Sequence, residues 1–235
     1  MTTKTQPYLL NDKWRFAGFL GAFFAIISIF FVIPLLEKNF YTHLILQSSF
    51  TLLILSTIYT VEKQQTILIS GFFFLTPFIY FDALGFHYHS MIYMALAHLF
   101  SSIFTLVAII ILMRKILHAS KVNAELIFGA MMVYLLSGIL WANFYFIEDI
   151  ICPGCFNGVG ILNFDNTNFL SIYEQQFNFL YYSFATLATL GMGDITPLSH
   201  LAKSLTAMEA MFGQLFVAII IAKLVSVWWS VPTTK

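Results

Sequence analysis

The sequence predicts an all-α membrane protein with six spanning helices and one shorter helix that enters the bilayer without crossing it. Three observations carry this. Of 235 residues, 60% are hydrophobic and only 9% charged, where soluble domains carry about a quarter charged residues. Six apolar stretches reach the roughly 20 residues that a bilayer-spanning helix needs. A seventh, Phe177–Leu190, is too short to cross and opens directly onto Thr189-Leu-Gly-Met-Gly-Asp194, which suits a re-entrant segment.

The first span, Trp14–Leu36, has no small-residue cleavage site after it and reads as an uncleaved anchor. The second, His43–Thr60, is followed by the short polar loop Glu62-Lys-Gln-Gln65. The third, Thr66–Ala83, holds Thr76-Pro77, which predicts a kink, as does Pro34 in the first. A turn over Gly85-Phe-His-Tyr-His89 leads to the fourth, Ser90–Met113. That helix contains no Arg or Lys. Voltage sensing needs several such charges at three-residue spacing within one span, so none is expected here. Its His98 reads as a hydrogen-bonded interhelical residue, and Arg114 and Lys115 read as anchors at its edge.

The fifth span, Ala124–Ile147, precedes a polar stretch from Glu148 to about Gln176, and the sixth, Leu201–Trp229, closes the chain. Only six residues follow Trp229, which predicts no soluble regulatory domain for nucleotide or calcium. Residues 1–120 therefore read as a four-helix transmembrane domain, and 121–235 as a second domain built around the re-entrant segment.

Charge gives an orientation. With the N-terminus cytoplasmic and the helices alternating, Lys4, Lys13, Arg15, Lys63, Arg114, Lys115, Lys121, Lys223 and Lys235 fall on the inner side, against Lys38 and Lys203 outside. That is a strong positive-inside bias, with both termini cytoplasmic. The outer face collects Glu37, Asp82, Glu148, Asp149, Asp165, Glu174 and Asp194. An acidic mouth enriches cations and depletes anions. The apolar composition implies a lipid bilayer as surroundings, and with a formal net charge of zero no nucleic-acid partner is expected.

Two further groups bear on chemistry. Cys152-Pro-Gly-Cys155 is the only cysteine pair. It reads as a disulfide staple in an oxidising compartment, although its spacing also matches thiol–disulfide oxidoreductases. It falls short of a zinc site for want of a histidine pair. His87 and His89 flank Tyr88 and read as a solvated turn before a metal or pH-sensing site.

The run Tyr181-Tyr-Ser-Phe-Ala-Thr-Leu-Ala-Thr-Leu-Gly-Met-Gly-Asp-Ile-Thr-Pro197, followed by a spanning helix, resembles the pore helix, selectivity filter and inner helix of the tetrameric potassium-channel superfamily. The usual filter there reads Thr-Val-Gly-Tyr-Gly-Asp. The resemblance implies a homotetramer, since one chain supplies one loop. It implies a filter of Thr189, Leu190, Gly191, Met192, Gly193 and Asp194, in which carbonyls of the first four and the Thr189 hydroxyl replace the water shell of K+. Gly191 and Gly193 can adopt the positive φ that aims successive carbonyls one way. Gly213 stands where family members place a hinge, and helical spacing then turns Gln214, Val217, Ile221 and Val225 toward the axis. No enzyme activity and no cofactor beyond the permeant ion are implied.

Two departures matter. Leu190 replaces the usual valine and Met192 the usual tyrosine. Without that hydroxyl, Tyr182 on the pore helix loses its family partner, and Ala188 and Ala185 stand where a second threonine and, in some members, an acid occur. The expected function is passive conduction of monovalent cations, potassium first. One alternative is altered selectivity, non-selective among cations or anionic; Lys223 turned into the pore would favour anions. Helical spacing instead rotates Lys223 off the lining stripe. Another alternative, of a different class, is a membrane thiol oxidoreductase using Cys152 and Cys155.

Overall fold

The computed structural model describes residues 18, 21–32, 35–36, 45, 48–53, 56, 65–88, 90–119, 124–160 and 169–229. Lys4, Lys13, Arg15, Pro34, Glu37, Lys38, Lys63, His89, Lys121, Asp165, Lys235 and much of the first two spans lie outside these residues. By contact the chain divides into two compact units, Met1–Phe73 and Phe74–Lys235.

In the first unit, α1 (Gly21–Val32) is apolar and widens to a π-helix over Ser28–Val32. It packs against helical residues 48–53, here α2, through small side chains. Ala22, Ala25 and Ile29 are buried with Ser49, Leu53 and Ser56. A Cβ on Gly21 would lie 2.5 Å from Ser56 Oγ, and Ser49 Oγ lies 3.0 Å from Ser28 Oγ. Small residues let helix backbones approach closely where hydrophobicity gives no drive, and hydroxyl bonds then add to the contact.

Beyond these, α3 (Gln65–Tyr88), α4 (Met91–His118), α5 (Ala124–Ile151), α6 (Phe169–Leu187) and α7 (His200–Trp229) follow in order. Two short strands, β1 (Phe156–Asn157) and β2 (Thr196–Pro197), pair antiparallel, Phe156 facing Pro197. The protein is mostly helical. Among the described residues three helices are long and apolar enough to cross a membrane: Met91–His118, Leu126–Ile151 and His200–Lys223.

Several boundaries differ from the sequence expectation. Pro77 sits inside α3, which continues to Tyr88, so the expected Gly85–His89 turn is mostly helix and the reversal centres on Ser90. There Ser90 N–H donates to Gly85 O, and Met94 packs into the space a Gly85 side chain would fill. Helix α4 runs on to His118, placing Arg114 and Lys115 within it rather than beyond its end. Cations there meet the negative end of the helix dipole. Helix α5 runs through Glu148 and Asp149 to Ile151, and α6 starts at Phe169, so both ends of the polar stretch expected from 148 to 176 are helical.

Helix α5 is the hub: 67% of its apolar window is buried, against 22% for α7. On α4, Ala97, Ser101, Thr105, Ala108 and Leu112 recur at helical spacing and are buried. His98 Nδ1 lies 2.8 Å from Asn143 Oδ1 on α5, and its Nε2 lies 3.1 Å from Gln176 Nε2 on α6. His98 is thus the interhelical residue its sequence position suggests. Where α5, β1 and α6 meet, Tyr145, Phe146, Phe156, Phe179 and Tyr182 form one buried aromatic cluster.

Candidate functional site

The site is the turn after α6. Ala188 N–H donates to Phe184 O, Thr189 N–H to Thr186 O at 2.8 Å, and Leu190 N–H to Ala185 O at 2.8 Å. The last two bonds are the 5→2 and 6→1 pair of a Schellman helix end, with Thr189 at the left-handed position usually held by glycine. Thr189 has φ +57° and is the only non-glycine with positive φ among the described residues. A β-branched residue there is strained by about 1–3 kcal/mol. What a threonine offers in return is its hydroxyl, which accepts a 3.1 Å bond from Gln214 Nε2 on α7.

Gly191 (φ +59°) and Gly193 (φ +81°) follow, while Leu190, Met192 and Asp194 keep ordinary negative φ. The sign of φ therefore alternates over six residues, Thr189 to Asp194. Such alternation lets successive peptide carbonyls face one side of a short segment, which is what rings of backbone carbonyls around an ion need. No atom lies within 4 Å of a Cβ built on either glycine. Residues 188–194 are exposed, Leu190 by 60% and Met192 by 63%, so one chain leaves this segment uncovered.

The far end of the segment is fixed from behind. Asp194 Oδ1 accepts from Ile195 N–H at 3.0 Å. The carboxylate also bonds the Tyr181 hydroxyl, and that bond, first among the causes, raises the Tyr181 phenol above its ordinary range and keeps it a donor. Gly158 (φ +87°) presses against the same place: a Cβ on it would lie 2.1 Å from Asp194 O. Cys152 and Cys155 form a disulfide, and Cys155 O accepts from Leu198 N–H at 2.8 Å. The disulfide loop and β1 thus brace the chain just after the turn.

Tyr182, expected to lack a partner opposite Met192, has one elsewhere. Its hydroxyl lies 2.8 Å from Thr206 Oγ1 on α7. Gly213 is buried against the end of α6, where an added Cβ would lie 2.2 Å from Leu187 O. Close approach alone therefore requires glycine at 213. Gln214, Val217, Ile221 and Val225 are all exposed on α7. Lys223 is off that stripe, its Nζ donating to Leu117 O at the end of α4 at 3.0 Å.

Sequence reasoning passed over Glu209. It is fully buried in α7, with Tyr145 Oη 2.5 Å from Oε2 and Ser183 Oγ 2.5 Å from Oε1. The signal was available: an acid inside an otherwise apolar span is a functional residue by default.

Residues 156–230 match the model of the ion-channel family Ion_trans_2. The matched stretch is about a third of the chain and takes in β1, α6, the glycine-rich turn, β2 and α7. No curated protein matches the chain. The match supports an ion channel of the potassium-channel type, and neither it nor the fold supports the thiol-oxidoreductase alternative.

Proposed function

We propose that this chain forms a homotetrameric cation channel, potassium-conducting, with Thr189 to Asp194 as its selectivity filter. The observation that carries the reading is the alternation of positive φ at Thr189, Gly191 and Gly193, within the stretch similar to ion channels. The carbonyls of Thr189, Leu190, Gly191 and Met192 bind K+ in stacked rings, four chains closing each ring. Six spans cross the bilayer with both termini cytoplasmic; residues 121–235 form the pore domain and 1–120 a four-helix transmembrane domain. Gln214, Val217, Ile221 and Val225 line the cavity below the filter, and Gly213 lets α7 close on the end of α6.

Lys223 gives no support to anion conduction in this reading, because its ammonium is held at the end of α4 and not on the exposed Gln214–Val225 stripe. Planar-bilayer recording of purified protein in potassium, sodium and chloride gradients tests the proposal. A reversal potential that follows the potassium gradient is the expected result. One that follows chloride, or the absence of any current from assembled protein, refutes it.

A further inference from the structure

Glu209 joins three helices. Tyr145 and Gly138 belong to α5, Ser183 to α6 and Glu209 to α7. Tyr145 Oη reaches Glu209 Oε2 at 2.5 Å, Ser183 Oγ reaches Oε1 at 2.5 Å, and Ser183 Oγ also reaches Gly138 O at 2.6 Å.

The protons in this cluster can be counted. A backbone carbonyl has none to give, so the contact between Ser183 and Gly138 uses the single proton of the serine hydroxyl. The contact between Ser183 and Oε1 then needs a proton from the carboxyl side. Tyr145 cannot supply it, because its own proton is used at Oε2. An ionised Glu209 would leave one of these contacts as two oxygens facing each other with no hydrogen between them. With the acid protonated on Oε1, every contact has one proton: Tyr145 to Oε2, Glu209 to Ser183, Ser183 to Gly138. Neighbouring bonds fit the same count, since Thr206 Oγ1 donates to Ala202 O and is left to accept from Tyr182.

The surroundings agree. The titratable groups facing Glu209 are phenols, Tyr134 and Tyr145 from α5 and Tyr182 from α6. Among the described residues no lysine, arginine or histidine bears on it. A buried carboxylate without a cationic partner is strongly disfavoured, and neutralising it removes that penalty.

We propose that Glu209 is held at neutral pH as an uncharged carboxylic acid and acts as a positioning residue for the filter, its proton tying α7 to the pore helix at Ser183. Ser183 lies six residues before Thr189, so the bond fixes the helix that ends in the candidate filter. The effect on conduction rests on the channel reading; the protonation state does not.

The test has two arms on purified wild type and Glu209→Gln in lipid vesicles at pH 7. The first is the infrared difference spectrum between them. A carboxylic-acid C=O band in the wild type, lost in the variant, is expected; carboxylate bands in its place overturn the proposal. The second is potassium efflux from loaded vesicles. Glutamine can donate to Ser183 and accept from Tyr145, so its efflux stays within about twofold of wild type, while Glu209→Ala falls by about tenfold or more. Efflux of assembled Glu209→Gln as low as that of Glu209→Ala overturns the positioning role. If Glu209→Ala does not assemble, Ser183→Ala removes only the bridging hydroxyl, and wild-type efflux from it overturns the role equally. No efflux from the wild type would sink the channel reading while the infrared arm still decides the protonation.

Discussion

Replacing Gly213 by alanine separates close packing from hinge bending. The new Cβ would lie 2.2 Å from Leu187 O, 3.1 Å from Leu187 C and 3.3 Å from Leu187 Cδ1. Carbon and carbonyl oxygen approach no closer than about 3.3 Å in ordinary contacts, so α6 and α7 must part by about 1 Å there. The end of α6 resists local movement, because the bonds from Thr189 and Leu190 hold the carbonyls of Thr186 and Ala185 just before Leu187. Overpacking of this kind costs about 1–3 kcal/mol. For a chain of this size that lowers Tm by about 2–4 °C per kcal/mol. Thermal unfolding of the assembled protein should therefore fall by about 2–12 °C for Gly213→Ala, with potassium efflux reduced alongside. A pure hinge predicts the opposite for stability, since alanine favours helix by about 1 kcal/mol over glycine. An unchanged or higher Tm in the variant would refute the packing argument.

Gly191→Ala and Gly193→Ala place a Cβ on residues at φ +59° and +81°, a strain of about 1–2 kcal/mol per residue; both should assemble yet conduct no potassium in bilayer recordings. Replacing Cys152 and Cys155 together by serine should leave single-channel conductance intact and speed proteolysis of the 152–160 loop, and loss of conductance would contradict a bracing role. Because lysine and arginine on α4 occur only as Arg114 and Lys115 in its last part, open probability should change shallowly with voltage; an activation curve worth several charges would defeat this.

The apolar helices were legible because spanning segments advertise themselves by length and hydropathy. What was not legible were helical stretches carrying buried polar residues. Gln175 is buried and bonds Asp149, and Glu148 Oε1 accepts from Ser199 Oγ at 2.8 Å. These pairs let α5 continue past its charges and α6 begin before its apolar part, and hydropathy cannot see a polar group that has found a partner. The two-residue strands were too short to leave a periodic signal. At Thr189 the sequence misdirects, since glycine is the usual left-handed residue and the strain is borne by threonine. At Gly213 the sequence allowed both packing and bending, and only the distance to Leu187 makes packing a requirement.

The contacts between α6 and α7 explain why a short extended segment must stand beside them. Tyr182 meets Thr206, Ser183 meets Glu209, Leu187 meets Gly213 and Thr189 meets Gln214. Both sets of numbers rise together, so the two helices run in the same sense. The chain leaving α6 must therefore travel back alongside them before α7 can begin at His200. About a dozen residues, 188–199, make that return, and they do so without forming a helix, as open backbone whose carbonyls are not consumed by helical bonds. On α7, Thr206, Glu209 and Gly213 recur at spacings of three and four, one face of the helix. That face seats α6 by a hydroxyl, an acid and an absent side chain, while Gln214, Val217 and Ile221 further along α7 are exposed.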